Sequence, residues 1–352
     1  FQSYLEILKH EPVRSIRCNT LKISPEKLKS QLENKGWKIS QPWKNYPEVM
    51  IVEGKYKNSH PQNSKPEQAQ GSPIKNLVTF KKSSANNHDA NLIMSNKSAN
   101  SNLIDLEPGE LGRSLEHLLG YYYIQELSSM LPIIALNPQP NELILDLCAS
   151  PGSKTTQASA MMKNTGTIIA NEISMGRLKI LASNLERCGC SNTIITRKDG
   201  VALCQRLKKF NPEIKFDKIL VDAPCSGEGT LRSSPQTYIM WNPYTIKTLS
   251  KLQKQLIAAS FKILKTGGEM IYSTCTHAPE ENEGVVDFLL NEFKGKIKVE
   301  SIKLPIKCRQ GLCNWKDETY NKELKKSCRI YPQDADTEGF FLVKIKKSGE
   351  KE

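Results

Sequence analysis

Beyond Asn137-Pro138 the chain alternates short apolar runs with helical stretches, and that alternation restricts its fold more than any other feature. Strands are expected over 143–147, 167–171, 193–197, 218–222 and 269–273, with a late pair near 298–301 and 340–345. Helical runs fill the gaps at 154–162, 174–188, 244–264 and 282–293. Parallel strands need crossovers of a dozen or more residues, which helices supply. The pattern therefore predicts an α/β fold, a doubly wound and mostly parallel sheet with helices on both faces. Such a sheet binds its ligand beyond the carboxyl ends of its strands, beside the switch point. The chemistry is to be sought in the residues just after each strand.

Upstream, residues 1–56 read as a small N-terminal α/β unit. Arg17-Cys18-Asn19-Thr20-Leu21 predicts a strand, and Ser24-Pro25-Glu26 opens a helix that runs to Asn34 and ends at Gly36. From 57 to 102 the composition turns to 9 Asn and 8 Ser among 46 residues, which predicts a flexible insertion with one short strand at 74–80. A helix is expected from Glu126 to Leu136, inside a larger domain over 103–346, with a charged tail at 347–352.

No run approaches the roughly 20 apolar residues of a membrane span, so no membrane partner is expected. Ten cysteines scattered over 352 residues make no disulfide framework, which suits a reducing, cytoplasmic setting. A monomer is assumed. The 50 Lys and Arg outweigh 37 Asp and Glu by 13, and the Lys-rich flanks suit a polyanion such as nucleic acid, although solvated lysines alone explain them as well.

The first strand runs into Asp146-Leu147-Cys148-Ala149-Ser150-Pro151-Gly152-Ser153-Lys154-Thr155-Thr156. Small residues between a strand and a helix let backbone approach a ligand, and the helix start offers free N–H groups. Glu172 lies 20 residues past Gly152, where an acidic side chain can grip a ribose diol. Asp199 and Asp222 are expected at the ends of the third and fourth strands, Asp199 toward an adenine edge. Four acidic strand ends in succession point to a nucleoside cofactor. A phosphate loop needs Gly directly before Lys and another Gly five positions upstream, and this loop has neither. The G-x-G-x-x-G of dinucleotide enzymes is missing too.

Cysteine follows two other strands, in Asp222-Ala223-Pro224-Cys225-Ser226-Gly227 and in Ser273-Thr274-Cys275-Thr276. A cysteine is most often a small buried hydrophobe, which suits Cys18, Cys188, Cys190 and Cys204. Glycine and hydroxyl neighbours make Cys225 and Cys275 better candidates for an accessible site. The spacings Cys188-x-Cys190 and Cys308-x4-Cys313 lack paired CxxC knuckles, so no metal is expected.

Taken together, the loop from Asp146 to Thr155, Asp222-Ala223-Pro224-Cys225 and Ser273-Thr274-Cys275 resemble the RNA cytosine-5 methyltransferases of the RsmB/Nop/Sun class. The resemblance covers about 103–346, and Arg14 to Lys22 is similar to the Arg-x-Asn-Thr element that precedes their catalytic domain. It implies S-adenosyl-L-methionine as cofactor, held by Cys148, Ala149, Ser150, Pro151, Gly152, Ser153 and Lys154 with Glu172, Arg177, Asp199 and Asp222. Glu172 stands where many relatives carry Asp, and either carboxylate can grip a diol.

The resemblance also implies Cys275 as the nucleophile at carbon 6 of cytosine, Cys225 as the group that helps release the product, and Lys154 with Asp222 against the target base. In DNA cytosine-5 enzymes the Pro-Cys thiol attacks instead, so spacing alone leaves the two roles open. The implied partner is RNA, with tRNA favoured by the compact layout and rRNA as the alternative. A target base must leave its stack to reach a thiol, so looped or single-stranded RNA is expected. Trp37, Trp43, Trp241 and Trp315 are candidate stacking surfaces, with core packing as the plainer reading of each. A catalytically silent RNA-binding protein on the same fold is the rival from another class. Amino-methylating enzymes of similar fold would show an Asn-Pro-Pro-Tyr-like strand end in place of Asp222-Ala223-Pro224-Cys225.

Overall fold

A computed structural model describes residues 2–57 and 102–349. The insertion expected at 57–102, with its strand at 74–80, lies outside these residues except at its two ends, as do 350–352 of the tail.

The first five strands are β1 (Ser15–Cys18), β2 (Trp37–Ser40), β3 (Val49–Tyr56), β4 (Leu103–Ile104) and β5 (Tyr122–Ile124). They form a small antiparallel sheet in the order β2-β3-β1-β5, with β4 against β3. β1 stops at Cys18, earlier than expected, because the Asn19 side chain accepts from the Leu21 N–H and turns the chain. The helix Pro25–Asn34 starts as its sequence demands, with Ser24 accepting from the Lys27 N–H and Pro25 in the first turn. β4 and β5 come from the segment expected in the catalytic domain, so 103–124 contributes strands to the smaller sheet.

The large sheet contains β6 (Leu143–Asp146), β7 (Thr167–Asn171), β8 (Thr193–Thr196), β9 (Phe216–Asp222), β10 (Leu264–Thr274), β11 (Ile297–Glu300) and β12 (Arg309–Gln310). A hairpin of β13 (Asn314–Trp315) and β14 (Glu318–Thr319) stands apart, and β15 (Cys328–Ile330) and β16 (Phe340–Lys347) complete the sheet. Its order is β12-β15-β16-β10-β9-β6-β7-β8, with β11 also on β16. β6 to β10 pair in parallel, while β16 is antiparallel to β10. The expected doubly wound α/β sheet is therefore present, with its switch point between β6 and β9.

Its strands are nearly all apolar because both faces are covered. Leu145, Ile219, Val221, Met270, Tyr272 and Val343 pack on one side with the helices Gly200–Phe210, Pro243–Ile263 and Glu283–Glu292. The alternate residues Ile144, Leu220, Ile271 and Leu342 pack on the other with the helices Leu127–Leu136 and Ser153–Met161. Trp37 and Trp43 are buried in cores, whereas Trp241 and Trp315 remain exposed. Among the described residues, no helix is long and apolar enough to cross a membrane.

Candidate active site

The loop after β6 is tied into the sheet. The Leu147 N–H donates to Leu220 O (3.0 Å) and the Ala149 N–H to Asn171 O (2.8 Å). The Ser150–Pro151 peptide is cis. Gly152 takes φ 101°, a conformation that strains any residue with a Cβ, and opens the helix Ser153–Met161. Cys148 is half-buried beside Asp146, and desolvation pushes its thiol far above the ordinary range. Arg177 Nη2 donates to Ser150 O (2.7 Å), and the Ser150 hydroxyl donates back to Arg177 O (2.9 Å).

The acidic residues stand close to their expected places, with two corrections. Asp146 and Asp222 end β6 and β9, but Glu172 lies one residue past β7 and Asp199 three past β8. β7 itself ends at Asn171 as expected, and the Asn171 side chain ties the neighbouring segments together. It donates to Leu147 O and Lys198 O and accepts from the Thr196 hydroxyl and the Lys198 N–H. Glu172 is buried, accepts from the Ser174 N–H (2.8 Å) and faces Arg177 Nε at 3.6 Å. Asp199 caps the helix Gly200–Phe210 by accepting from the Ala202 N–H (2.9 Å). Asp146 accepts from the Thr155 hydroxyl, yet burial and the nearby Asp222 charge push its carboxyl up to about 7.

At the switch point Lys154 is only 8 % exposed. Its Nζ lies 2.8 Å from Asp222 Oδ2, donates to Ser129 Oγ (2.9 Å) and sits 5.4 Å from the Phe340 ring centroid. The Ser273 hydroxyl donates to the other oxygen of Asp222 (2.8 Å). Lys154, Asp222, Cys275 and Phe340 line one side of a cavity of about 560 Å³, and the segment from Glu11 to Ser15 of the N-terminal unit lines the other.

The two cysteines meet, as the parallel pairing of β9 with β10 requires. Their Sγ atoms are 3.3 Å apart. Cys275 lines the cavity, whereas Cys225 lies behind it and is not among the lining residues. The Cys225 thiol, directed at Cys275, lowers the Cys275 pKa, and the Lys154 charge acts in the same direction. Cys225 is pushed up by that partner and by burial. The pair is therefore polarised, with the lower pKa on the sulfur facing the cavity and the higher on the one behind it.

Several positioning residues gave no sequence signal. Gln253 Nε2 donates to Pro224 O (2.8 Å) and to Glu281 Oε2 (2.7 Å), which also accepts from the Ser226 N–H (3.1 Å). Together they hold the Cys225 loop. The Gly229 N–H donates to Cys275 O (2.9 Å), and a Cβ at Gly229 would collide with the Gly339 backbone. Arg232, with its side chain fully buried, donates to His10 O (3.0 Å), Glu11 O (2.9 Å), Thr337 O (3.0 Å) and Asp336 Oδ1 (2.7 Å). It fastens the N-terminal wall of the cavity to the catalytic loops. Arg17 does the same for the helix Ser153–Met161, donating to Ser153 O (2.8 Å) and Thr156 Oγ1 (2.8 Å). Among the described residues, no group of three His, Cys, Asp or Glu is placed to hold a metal.

A doubly wound sheet of this order, closed by an antiparallel strand and carrying acidic groups around its switch point, defines a class I S-adenosyl-L-methionine-dependent methyltransferase. The model of the 16S rRNA methyltransferase RsmB/F family matches residues 133–346, and the chain belongs to that family. It is 44 % identical over 236 residues to the tRNA (cytosine(49)-C(5))-methyltransferase of Pyrococcus abyssi, a match covering 67 % of this chain and 73 % of the relative. It is 43 % identical over 241 residues to ribosomal RNA small subunit methyltransferase F of Aliivibrio salmonicida, covering 68 % of this chain but 48 % of the relative. The match thus spans about half the length of that bacterial relative. A methyltransferase homologue from Pyrococcus horikoshii superposes with a TM-score of 0.71 at 29 % identity, covering 99 % of this chain and 90 % of that one. NSun6 of the same organism, solved with SFG, gives 0.69 at 23 %, covering 99 % and 94 %. The side chains around the switch point fit the family's cofactor: carboxylates at or just past neighbouring strand ends suit a diol and amines, and the first turn of the helix from Ser153 carries backbone N–H groups without intrahelical partners.

Proposed function

We propose that this chain transfers a methyl group from S-adenosyl-L-methionine to carbon 5 of cytosine in RNA, with tRNA as the favoured substrate. The observation that carries the reading is the polarised sulfur pair, with Cys275 at the cavity beside Lys154 and Cys225 3.3 Å behind it. The cofactor would supply an electrophilic methyl. The loop from Cys148 to Lys154, with Glu172, Arg177, Asp199 and Asp222, would hold it.

Carbon 5 of cytosine is a poor nucleophile. The Cys275 thiolate would add to carbon 6, breaking the aromaticity and moving electron density onto carbon 5. Lys154 would stabilise the charge that builds on the ring, and Asp222 would accept from the exocyclic amine. After methyl transfer, loss of the carbon-5 proton returns an electron pair to the ring and breaks the carbon 6–sulfur bond. Cys225 would assist that departure from beside the leaving sulfur. The cavity supports this order of roles over the reverse, because the sulfur that must reach the base is Cys275.

The tRNA reading draws on the archaeal relative, whose length is matched more fully than that of the ribosomal one. The family model's own description keeps 16S rRNA as a second reading. Bisulfite sequencing of total RNA from cells with and without the gene would decide: a lost 5-methylcytosine in tRNA supports the first, one in 16S rRNA the second. No lost site in either would contradict both.

A further inference from the structure

A second pair of sulfurs lies outside the cleft. Cys308 immediately precedes β12 and Cys328 opens β15, and their Sγ atoms are 3.5 Å apart. Neither is in a disulfide. Cys328 is buried at 4 % exposure, whereas Cys308 is partly exposed. The approach is built into the backbone, since β12 and β15 pair with Gln310 opposite Cys328 and Arg309 opposite Arg329. Cys308 packs with Ile302, Leu304 and Ile306 on the core that contains Cys328, Ile330 and Phe340. A disulfide requires about 2.05 Å between sulfurs, so closure asks these two to come nearer than the 3.5 Å at which they rest. The contact between the sulfurs brings the Cys308 thiol down to about 7, while the same contact and burial push the Cys328 thiol up.

We propose that Cys308 and Cys328 are a reversible oxidation site, with Cys308 the sulfur attacked by peroxide and Cys328 the one that resolves it. The Cys308 thiolate attacks one oxygen of hydrogen peroxide; a sulfur–oxygen bond forms, the oxygen–oxygen bond breaks and hydroxide leaves. The Cys328 sulfur then displaces the new hydroxyl, which departs as water with the Cys328 proton, leaving a disulfide. Two electrons pass from the sulfurs to the peroxide, and a small dithiol reverses the change by exchange.

The neighbouring residue links this site to the cleft. Arg329 donates to Glu283 through Nε (2.6 Å) and Nη2 (2.5 Å), and through Nη1 to His277 O (3.0 Å), two residues beyond Cys275. The site stands independently of the proposed RNA chemistry, and its test reads covalent bonds rather than activity.

The reduced full-length protein would be treated with a small excess of hydrogen peroxide, quenched with N-ethylmaleimide and cut with a Glu-specific protease. The expected product links peptide 301–318 to peptide 324–338 and disappears with dithiothreitol. Cys313 shares the first peptide, so Cys313→Ser must retain the link and Cys308→Ser must lose it. In Cys328→Ser, dimedone should label Cys308 as the sulfenic acid. The proposal is overturned if Cys308 and Cys328 both remain alkylatable under peroxide that consumes Cys275, or if the link runs through Cys313.

Discussion

The molecule holds two dithiols of nearly equal separation, 3.3 Å for Cys225 with Cys275 and 3.5 Å for Cys308 with Cys328. In each, the contact between the sulfurs lowers the pKa of one of them. Their surroundings differ. Cys275 faces a cavity of about 560 Å³ shared with the Lys154–Asp222 pair, whereas Cys308 sits beside a two-residue strand and packs on aliphatic side chains. Close sulfurs thus lower the pKa of one of the pair, but attack on a base also needs room for that base and a cation for the charge that appears on it. Without those, the same motif can meet only a small electrophile.

The largest effect that sharpens this contrast is expected from Cys275→Ala. It should lower methyl transfer by roughly 10³-fold or more while cofactor affinity stays near wild type, as read by a radiolabelled methyl assay and calorimetry. Cys225→Ala should also abolish turnover, but with RNA retained on the protein as a denaturant-resistant species on gels. Lys154→Gln should cost about 10- to 100-fold. Because Lys154 favours the Cys275 thiolate, the rising limb of the pH–rate profile should move to higher pH in this variant. Iodoacetamide labelling of Cys308 should rise with its thiolate through about pH 7, while the buried Cys204, pushed up to about 12, stays unlabelled until the protein unfolds. The smallest effect belongs to Cys308→Ser, which should leave methyl transfer of the reduced protein within about twofold. A larger loss would erase the division between the two pairs.

The parallel strands were legible because burial on both faces writes them as continuous apolar runs, and two helix starts because Ser24 and Ser174 cap them, whereas the helix Gly200–Phe210 went unread because its cap, Asp199, reads as a strand end. Their far ends were less legible. Glu172 and Asp199 fall just past strands that end at Asn171 and Thr196, and the side-chain bonds by which Asn171 joins these segments are announced by no local pattern. The short strands β4 and β5 have too few residues to show a period, and their pairing with β3 and β1 is set by contacts distant in sequence. Arg17 read as part of a motif but not as a clamp on Ser153 and Thr156. Arg232, Gln253 and Glu281 act through the fold alone, as ordinary polar residues in sequence that become buried anchors once the loops converge.

The central claim is that the sulfur of Cys275 bonds to carbon 6 of the target base. RNA containing 5-fluorocytosine tests it most directly, since fluorine at carbon 5 cannot leave as the proton does and the adduct cannot resolve. Incubated with this RNA and the methyl donor, then digested, the protein should yield one nucleotide-linked peptide with the modification on Cys275. A nucleotide found on Cys225, or a peptide map free of adduct after the RNA has bound, would contradict the account.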